Sequence, residues 1–271
     1  RSNSIWSVFV DNQDRIWLGY YNKGIGVFDK FYDKFQDIQS LPYSTNSLQS
    51  PSVTGILQDT DNNLWIGMDG GGIDKYNLKT QEFHHLSDDQ NYKSLEKLDI
   101  QTLFLDNDEN LWAGTWSSGI YFLPKNGNKV INYTINNTNG GLTSNSITNF
   151  AQDTNGKIWI ATFFGGLHSF DPGTRLFNNH ADASFNTSLG KEGHIRSILI
   201  DDNDHIWIGG PYGLLKAYKN NEEKFVTQVF SEIITGDSSV ENNINSRALF
   251  QDSQKNIWLG TYEKGVCKIN S

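Results

Sequence analysis

DTDNNLWIGMDGGGIDKYN, residues 59–77, sets an acidic turn, a tryptophan, a small-residue pair and a glycine cluster close together. The phrase recurs along the chain. Trp17, Trp65, Trp112, Trp159, Trp207 and Trp258 follow one another at intervals of 48, 47, 47, 48 and 51 residues. An aspartate stands six positions before each: Asp11, Asp59, Asp106, Asp153, Asp201 and Asp252. Ile or Leu precedes every Trp, and Gly or Ala stands two residues after it. A further glycine (Gly24, Gly72, Gly119, Gly166, Gly213, Gly265) follows at six or seven. A repeat of about forty to fifty residues marks solenoids, propellers or arrays.

The pattern inside the repeat decides among them. Each copy contains short runs such as VTGILQ, LWIGM, GIDKYN and EFHHL, rich in β-branched and aromatic residues and separated by Gly, Asn and Asp. No run keeps apolar residues at helical spacing for ten or more positions. Four strands per copy, repeated radially, predict an all-β propeller with six recognisable four-stranded blades. Their approximate bounds are 1–40, 41–89, 90–136, 137–183, 184–232 and 233–271, in one propeller region spanning 1–271. Each Trp is expected to fill the space between its blade and the next. The first, innermost strand is expected to be buried on both faces, because it carries two consecutive apolar residues in each copy. The last copy ends at GVCKIN, its third strand, and therefore lacks an outer strand. A sheet edge left unpaired is a liability. The chain is accordingly read as part of a larger propeller region, or as a six-bladed ring closed imperfectly.

Composition narrows the function classes. A formal net charge of −9 argues against a phosphate backbone as partner. No apolar stretch is long enough to span a membrane, and RSNSIWSVFV has no signal-peptide pattern, so no membrane contact is expected of this segment. Cys267 is the only cysteine, which excludes an intrachain disulfide and a cysteine-based zinc site. The six histidines show no metal-ligand spacing; His194 is expected to be a solvated loop residue, the alternative being that it reaches the mouth ahead of the Arg196 strand. DNDEN and DDNDH occupy the turn present in every copy and lack the length of a calcium loop. No cofactor motif, nucleophile elbow or paired catalytic carboxylate stands out, so neither cofactor nor catalytic residue is assigned.

The pattern D-x-[DN]-x-x-[IL]-W-[IL]-[GA] followed by G-[IVL] resembles the two-component regulator propeller repeat, and it runs through essentially the whole chain. That repeat builds the periplasmic sensor region of hybrid two-component histidine kinases. The resemblance implies seven-bladed rings followed by further domains, dimeric full-length partners, and recognition of an oligosaccharide from glycan breakdown. No kinase, receiver or DNA-binding segment is recognisable within these residues. A similar turn-and-Trp phrase occurs in virginiamycin-lyase-like propellers, which keeps an enzyme under consideration.

In the strand order of a propeller blade, the second-to-third loops share a face with the loops that enter the next blade. Four positions after each Trp stand Tyr21, Asp69, Trp116, Phe163, Pro211 and Tyr262, with Phe164 and Tyr212 one further along. Loops are normally polar, so aromatic residues at these tips need a reason. The C–H face of a sugar stacks on a flat ring, which suits oligosaccharide capture; alternatively the rings fold over the blade and seal its end. A second variable position, five residues before each Asp, holds Trp6, Thr54, Gln101, Thr148, Arg196 and Arg247. Arg196 and Arg247 occupy it in adjacent copies. Two guanidiniums side by side suit a carboxylate or sulfate; alternatively each pairs with an acid such as Glu192 or Glu241. Three functional readings follow: a ligand-sensing domain, a scaffold holding neighbouring domains in register, and a propeller lyase or glycosidase.

Overall fold

The computed structural model describes residues 4–31, 34–127, 129–180, 193–211, 213–220, 224–230, 245–262 and 264–269. It is an all-β propeller fold with six antiparallel blades. Blade 1 contains Ile5–Val10, Ile16–Tyr20, Ile25–Asp29 and Lys34–Ile38. Blade 2 contains Val53–Gln58, Asn63–Met68, Gly72–Asn77 and Glu82–His85; blade 3 contains Ile100–Leu105, Leu111–Thr115, Ile120–Leu123 and Ile131–Tyr133. Ile147–Gln152, Ile158–Thr162, Leu167–Asp171 and Leu176–Asn179 form blade 4. Ser197–Ile200, Ile206–Gly210, Gly213–Lys219 and Phe225–Val229 form blade 5. Blade 6 has three strands among the described residues: Ser246–Gln251, Ile257–Thr261 and Val266–Ile269. Consecutive strands pair within each blade. The chain divides into two compact units, Arg1–Tyr133 with blades 1 to 3 and Thr134–Ser271 with blades 4 to 6.

The aspartate-to-tryptophan phrase is a hairpin with one geometry in all six copies. Three residues after each Asp the backbone turns left-handed, at Asp14, Asn62, Glu109, Gly156, Asp204 and Lys255. Asp, Asn and Gly adopt that conformation readily, whereas Glu109 and Lys255 do so at a cost. The carboxylate compensates. In blade 2, Asn63 donates its backbone N–H to Asp59 Oδ1 at 2.8 Å, and the Trp65 indole Nε1–H donates to Oδ2 at 3.1 Å. The same indole-to-carboxylate bond recurs in the other five blades at 2.7 to 2.9 Å. The Asp and the Trp are therefore one structural pair, with the indole's only polar atom satisfied at the turn and its rings left for packing.

Four of those rings lean on the next blade within their unit, as expected. Trp17 packs with Leu48, Val53 and Ile56, and Trp65 with Leu95, Ile100 and Leu111. In the second unit Trp159 packs with Ile198, Ile206 and Leu215, and Trp207 with Ile257 and Leu259. Burying a side chain of this size contributes roughly 2–3 kcal/mol. The small residue two positions after the Trp permits close approach. A Cβ on Gly209 would lie 2.0 Å from Ser246 Oγ of blade 6, and one on Gly67 would lie 2.7 Å from Ile100 Cγ2 of blade 3.

The expectation that every first strand is buried on both faces needs correction. It holds best for blades 2, 4 and 5. In blade 1, Ile5, Val8 and Val10 are exposed, and in blade 6 so is Phe250. Within its unit the first strand of blade 1 packs on that of blade 2, and the first strand of blade 6 on that of blade 5.

Candidate functional site

Two sets of backbone bonds build the end of the blades where the second-to-third loops emerge. The residue four after the Trp donates its N–H to the carbonyl just before its own blade's first strand: Tyr21 to Ser4, Asp69 to Ser52, Trp116 to Asp99, Phe163 to Ser146 and Tyr262 to Asn245. The loop glycine reaches the segment entering the next blade, as Gly24 to Pro51, Gly72 to Leu98 and Gly166 to Gly193. Gly72 has φ of 67°, and a Cβ there would sit 2.2 Å from Leu95 O, so this crossing requires glycine.

The variable position five before the Asp lies at a β-bulge. Pairing of first and second strands skips Trp6, Thr54, Gln101, Thr148 and Arg247. In blade 5 the ladder begins at Ser197, and Arg196 donates its backbone N–H to Gly209 at 2.8 Å. A bulge re-aims the side chain it carries. What that side chain does differs by blade. Thr54 donates its hydroxyl to Ile100 O of blade 3, and Thr148 to Ile195 O of blade 5, both at 2.7 Å. These two are clamps between blades.

In the Arg1–Tyr133 unit, Trp6 and Tyr21 lie ring to ring at 4.6 Å, each about half exposed. Asp69 faces Asp99; burial and the Asp99 charge both raise its carboxyl above the usual range. Gln101 is half-buried, and Trp116 is exposed.

The Thr134–Ser271 unit gathers more. The Phe163 ring stacks on His194 at 4.5 Å and 8°, and meets Phe164 edge-on at 4.6 Å. Arg196 lies over Phe163, 5.4 Å from its centroid, and Arg247 over Tyr262 at 4.8 Å. Phe164 and Tyr262 are each 62% exposed. Burial, then the nearby Arg247 charge, disfavour the cationic form of Arg196. Neither arginine forms an ion pair among the described residues. Tyr212, Glu192 and Glu241 lie outside them. His194 is thus not the solvated loop histidine expected: the bond from Gly166 to Gly193 fixes the chain at the loop of blade 4 and brings the ring onto Phe163. Sequence missed the bulge and the two threonine clamps, since each depends on a neighbouring blade, and it favoured solvent over the mouth for His194.

A separate cavity of about 700 Å³ lies beside the outer strand of blade 2, lined by Asn46, Lys75, Phe83, His84, His85 and Asp88 among others. His85 Nδ1 is 2.7 Å from Asp74 Oδ1, and the ring also bonds the Thr45 backbone. Asp74 further accepts the Gln49 N–H at 3.1 Å. The Thr45 and Gln49 bonds tie the segment from blade 1 onto His85 and Asp74 of blade 2. Among the described residues, no group of three or more His, Cys, Asp and Glu side chains is placed to hold a metal ion. No helix among them is long and apolar enough to cross a membrane.

The fold and this site define a class of repeat propeller. The two component regulator propeller model matches residues 1–22, 47–70, 141–164 and 239–263. Among solved structures, the chain is similar to the extracellular domain of the hybrid two component system BT3049 from B. thetaiotaomicron (TM-score 0.76, 23% identity), covering 99% of this chain and 35% of that one. The extracellular domain of BT4673 from the same organism gives a TM-score of 0.58 at 23% identity, over 99% and 38%. The chain therefore spans about a third of the length of these domains. Virginiamycin B lyase from Staphylococcus aureus with quinupristin shares the fold at 12% identity (TM-score 0.70), over 100% and 82%. By sequence, no curated protein matches the chain.

Proposed function

We propose that this chain is a ligand-sensing propeller of the periplasmic region of a two-component regulatory protein. It captures an oligosaccharide released by glycan breakdown. The observation that carries this reading is the cluster of Phe163, Phe164, His194 and Tyr262 with two arginines at one end of blades 4 to 6. Exposed rings on backbone-anchored loops offer flat stacking faces without large ordering cost, which supports capture over sealing of the blade. The regulator repeat and the likeness to extracellular domains support the cellular setting. Binding signals by favouring one packing of the chain against its neighbours, a dimer partner included, and it does so only as far as affinity differs between packings. In this reading the segment performs no chemistry.

The scaffold reading has one observation in its favour. Ile5, Val8 and Val10 on blade 1 expose apolar surface that suits a neighbouring propeller or domain. Titrating the chain with a panel of oligosaccharides separates the two. Saturable binding weakened by Phe164→Ala and Tyr262→Ala is the expected result. A folded chain that binds no member of the panel sinks the sensor reading in favour of the scaffold.

A further inference from the structure

We propose that Arg196 and Arg247 form an anion-binding subsite, so that the saccharide taken up by blades 4 to 6 carries a carboxylate or sulfate group. This rests on the ligand-sensing reading and adds to it the charge of the ligand.

Four observations converge. The two arginines occupy the same repeat position in successive blades: Arg247 at a bulge that re-aims its side chain out of the ladder, and Arg196 just ahead of the ladder with its N–H on Gly209. In blades 2 and 4 that position carries a threonine whose hydroxyl is spent on the next blade's backbone, so a bulge of this kind can be closed by the protein itself. In blades 5 and 6 no such bond closes it among the described residues. Each guanidinium lies over an aromatic face, Phe163 or Tyr262, which supports its plane while its in-plane N–H groups remain the hydrogen-bonding edge.

The hydrogen-bonding state points the same way. Arg196 Nε is buried and has no partner among the described residues. Neither guanidinium is neutralised by an Asp or Glu among them, although the chain carries 31 acidic against 22 basic residues. Two like charges held side by side, one of them partly desolvated, destabilise each other. An oxyanion with two or three acceptor oxygens relieves that repulsion and satisfies the buried donor; a neutral sugar hydroxyl does only the second. The exposed rings of Phe164 and Tyr262 then face the sugar that carries the anion.

The test is calorimetric titration of the full chain with trigalacturonate, an O-sulfated disaccharide, xylotriose and sodium sulfate, at low and high salt. Arg247→Gln, whose side chain is exposed, and Arg196→Lys run in parallel, with thermal midpoints verifying the fold. The expected result is saturable binding of one of the two acidic saccharides, weakened at least about tenfold in Arg247→Gln and weakened by salt. Which of the two binds distinguishes a uronate from a sulfate. Four results overturn the inference. Xylotriose binding that both variants retain, without acidic binding, leaves the sensor reading intact and removes the anion subsite. Acidic binding unchanged in both variants does the same. Sulfate binding with no saccharide binding reduces the subsite to an adventitious ion only. A folded chain that binds nothing overturns the sensor reading and the subsite together.

Discussion

The Trp65 indole N–H donates to Asp59 Oδ2 at 3.1 Å, and Lys75 lies on both partners, 3.3 Å from that carboxylate oxygen and 4.7 Å from the ring centroid. One side chain thus closes a turn, anchors an indole and places a cation over it. Burial by itself would raise the Asp59 carboxyl; the bonds from Asn63 and the Lys75 charge outweigh it and hold the group below the usual range.

Asp59→Ala leaves the Trp65 N–H and the Asn63 donors without their acceptor. A loss of about 2–4 kcal/mol is expected, read as a lowered urea midpoint with unchanged slope. Asp59→Asn keeps an acceptor for part of the set and loses less. Equal losses in the two variants would show that the charge, rather than the acceptor geometry, matters.

Gly209→Ala and Gly260→Ala change equivalent positions in neighbouring blades. At Gly209 the new methyl would meet Ser246 Oγ at 2.0 Å and Ser197 Oγ at 2.5 Å; at Gly260 its nearest neighbour is Ala248 Cβ at 3.5 Å. The first is expected to cost about 1–3 kcal/mol and the second less than about 0.5 kcal/mol, by denaturant unfolding. The opposite order would refute the packing argument.

His168 is fully buried and accepts the Thr143 N–H at its Nε2, which requires the neutral ring. Burial, then the nearby His180, lowers its pKa from 6.5 to about 4. A depressed histidine pKa means the unfolded chain binds the proton first. Its stabilising effect is therefore complete above pH 6.5, declines as pH falls, and is exhausted near pH 4. The change amounts to ~3 kcal/mol. His168→Asn offers an acceptor that does not titrate there, so its stability should fall less steeply over that window. Parallel pH profiles for wild type and variant would remove His168 as the cause.

Phe164→Ala and Tyr262→Ala remove rings that are each 62% exposed. Unfolding stability should change by no more than about 0.5 kcal/mol while oligosaccharide affinity falls. A loss of about 2 kcal/mol or more in stability would mean that the rings seal the blade rather than receive a ligand.

Much of this protein was legible in its residues taken in order. The six-fold return of Asp, Trp and Gly determined the strand pattern, the turns and the bond from each Trp to its Asp. These depend on residues within one repeat, and a repeat folds the same way each time. The loop-tip aromatics and the bulge position were also readable, as places where the copies differ. Their roles were not. Thr54 and Arg196 hold the same position, yet Thr54 is spent on Ile100 O of the following blade, whereas Arg196 is stacked on Phe163 of the preceding one. His194 became a stacking partner and His85 a tie between blades only when segments distant in sequence met. Local propensity and periodicity act along the chain. Whether a side chain is consumed by the fold or left for a ligand depends on which backbone carbonyl, ring or charge the neighbouring blade presents, and only the tertiary packing decides that.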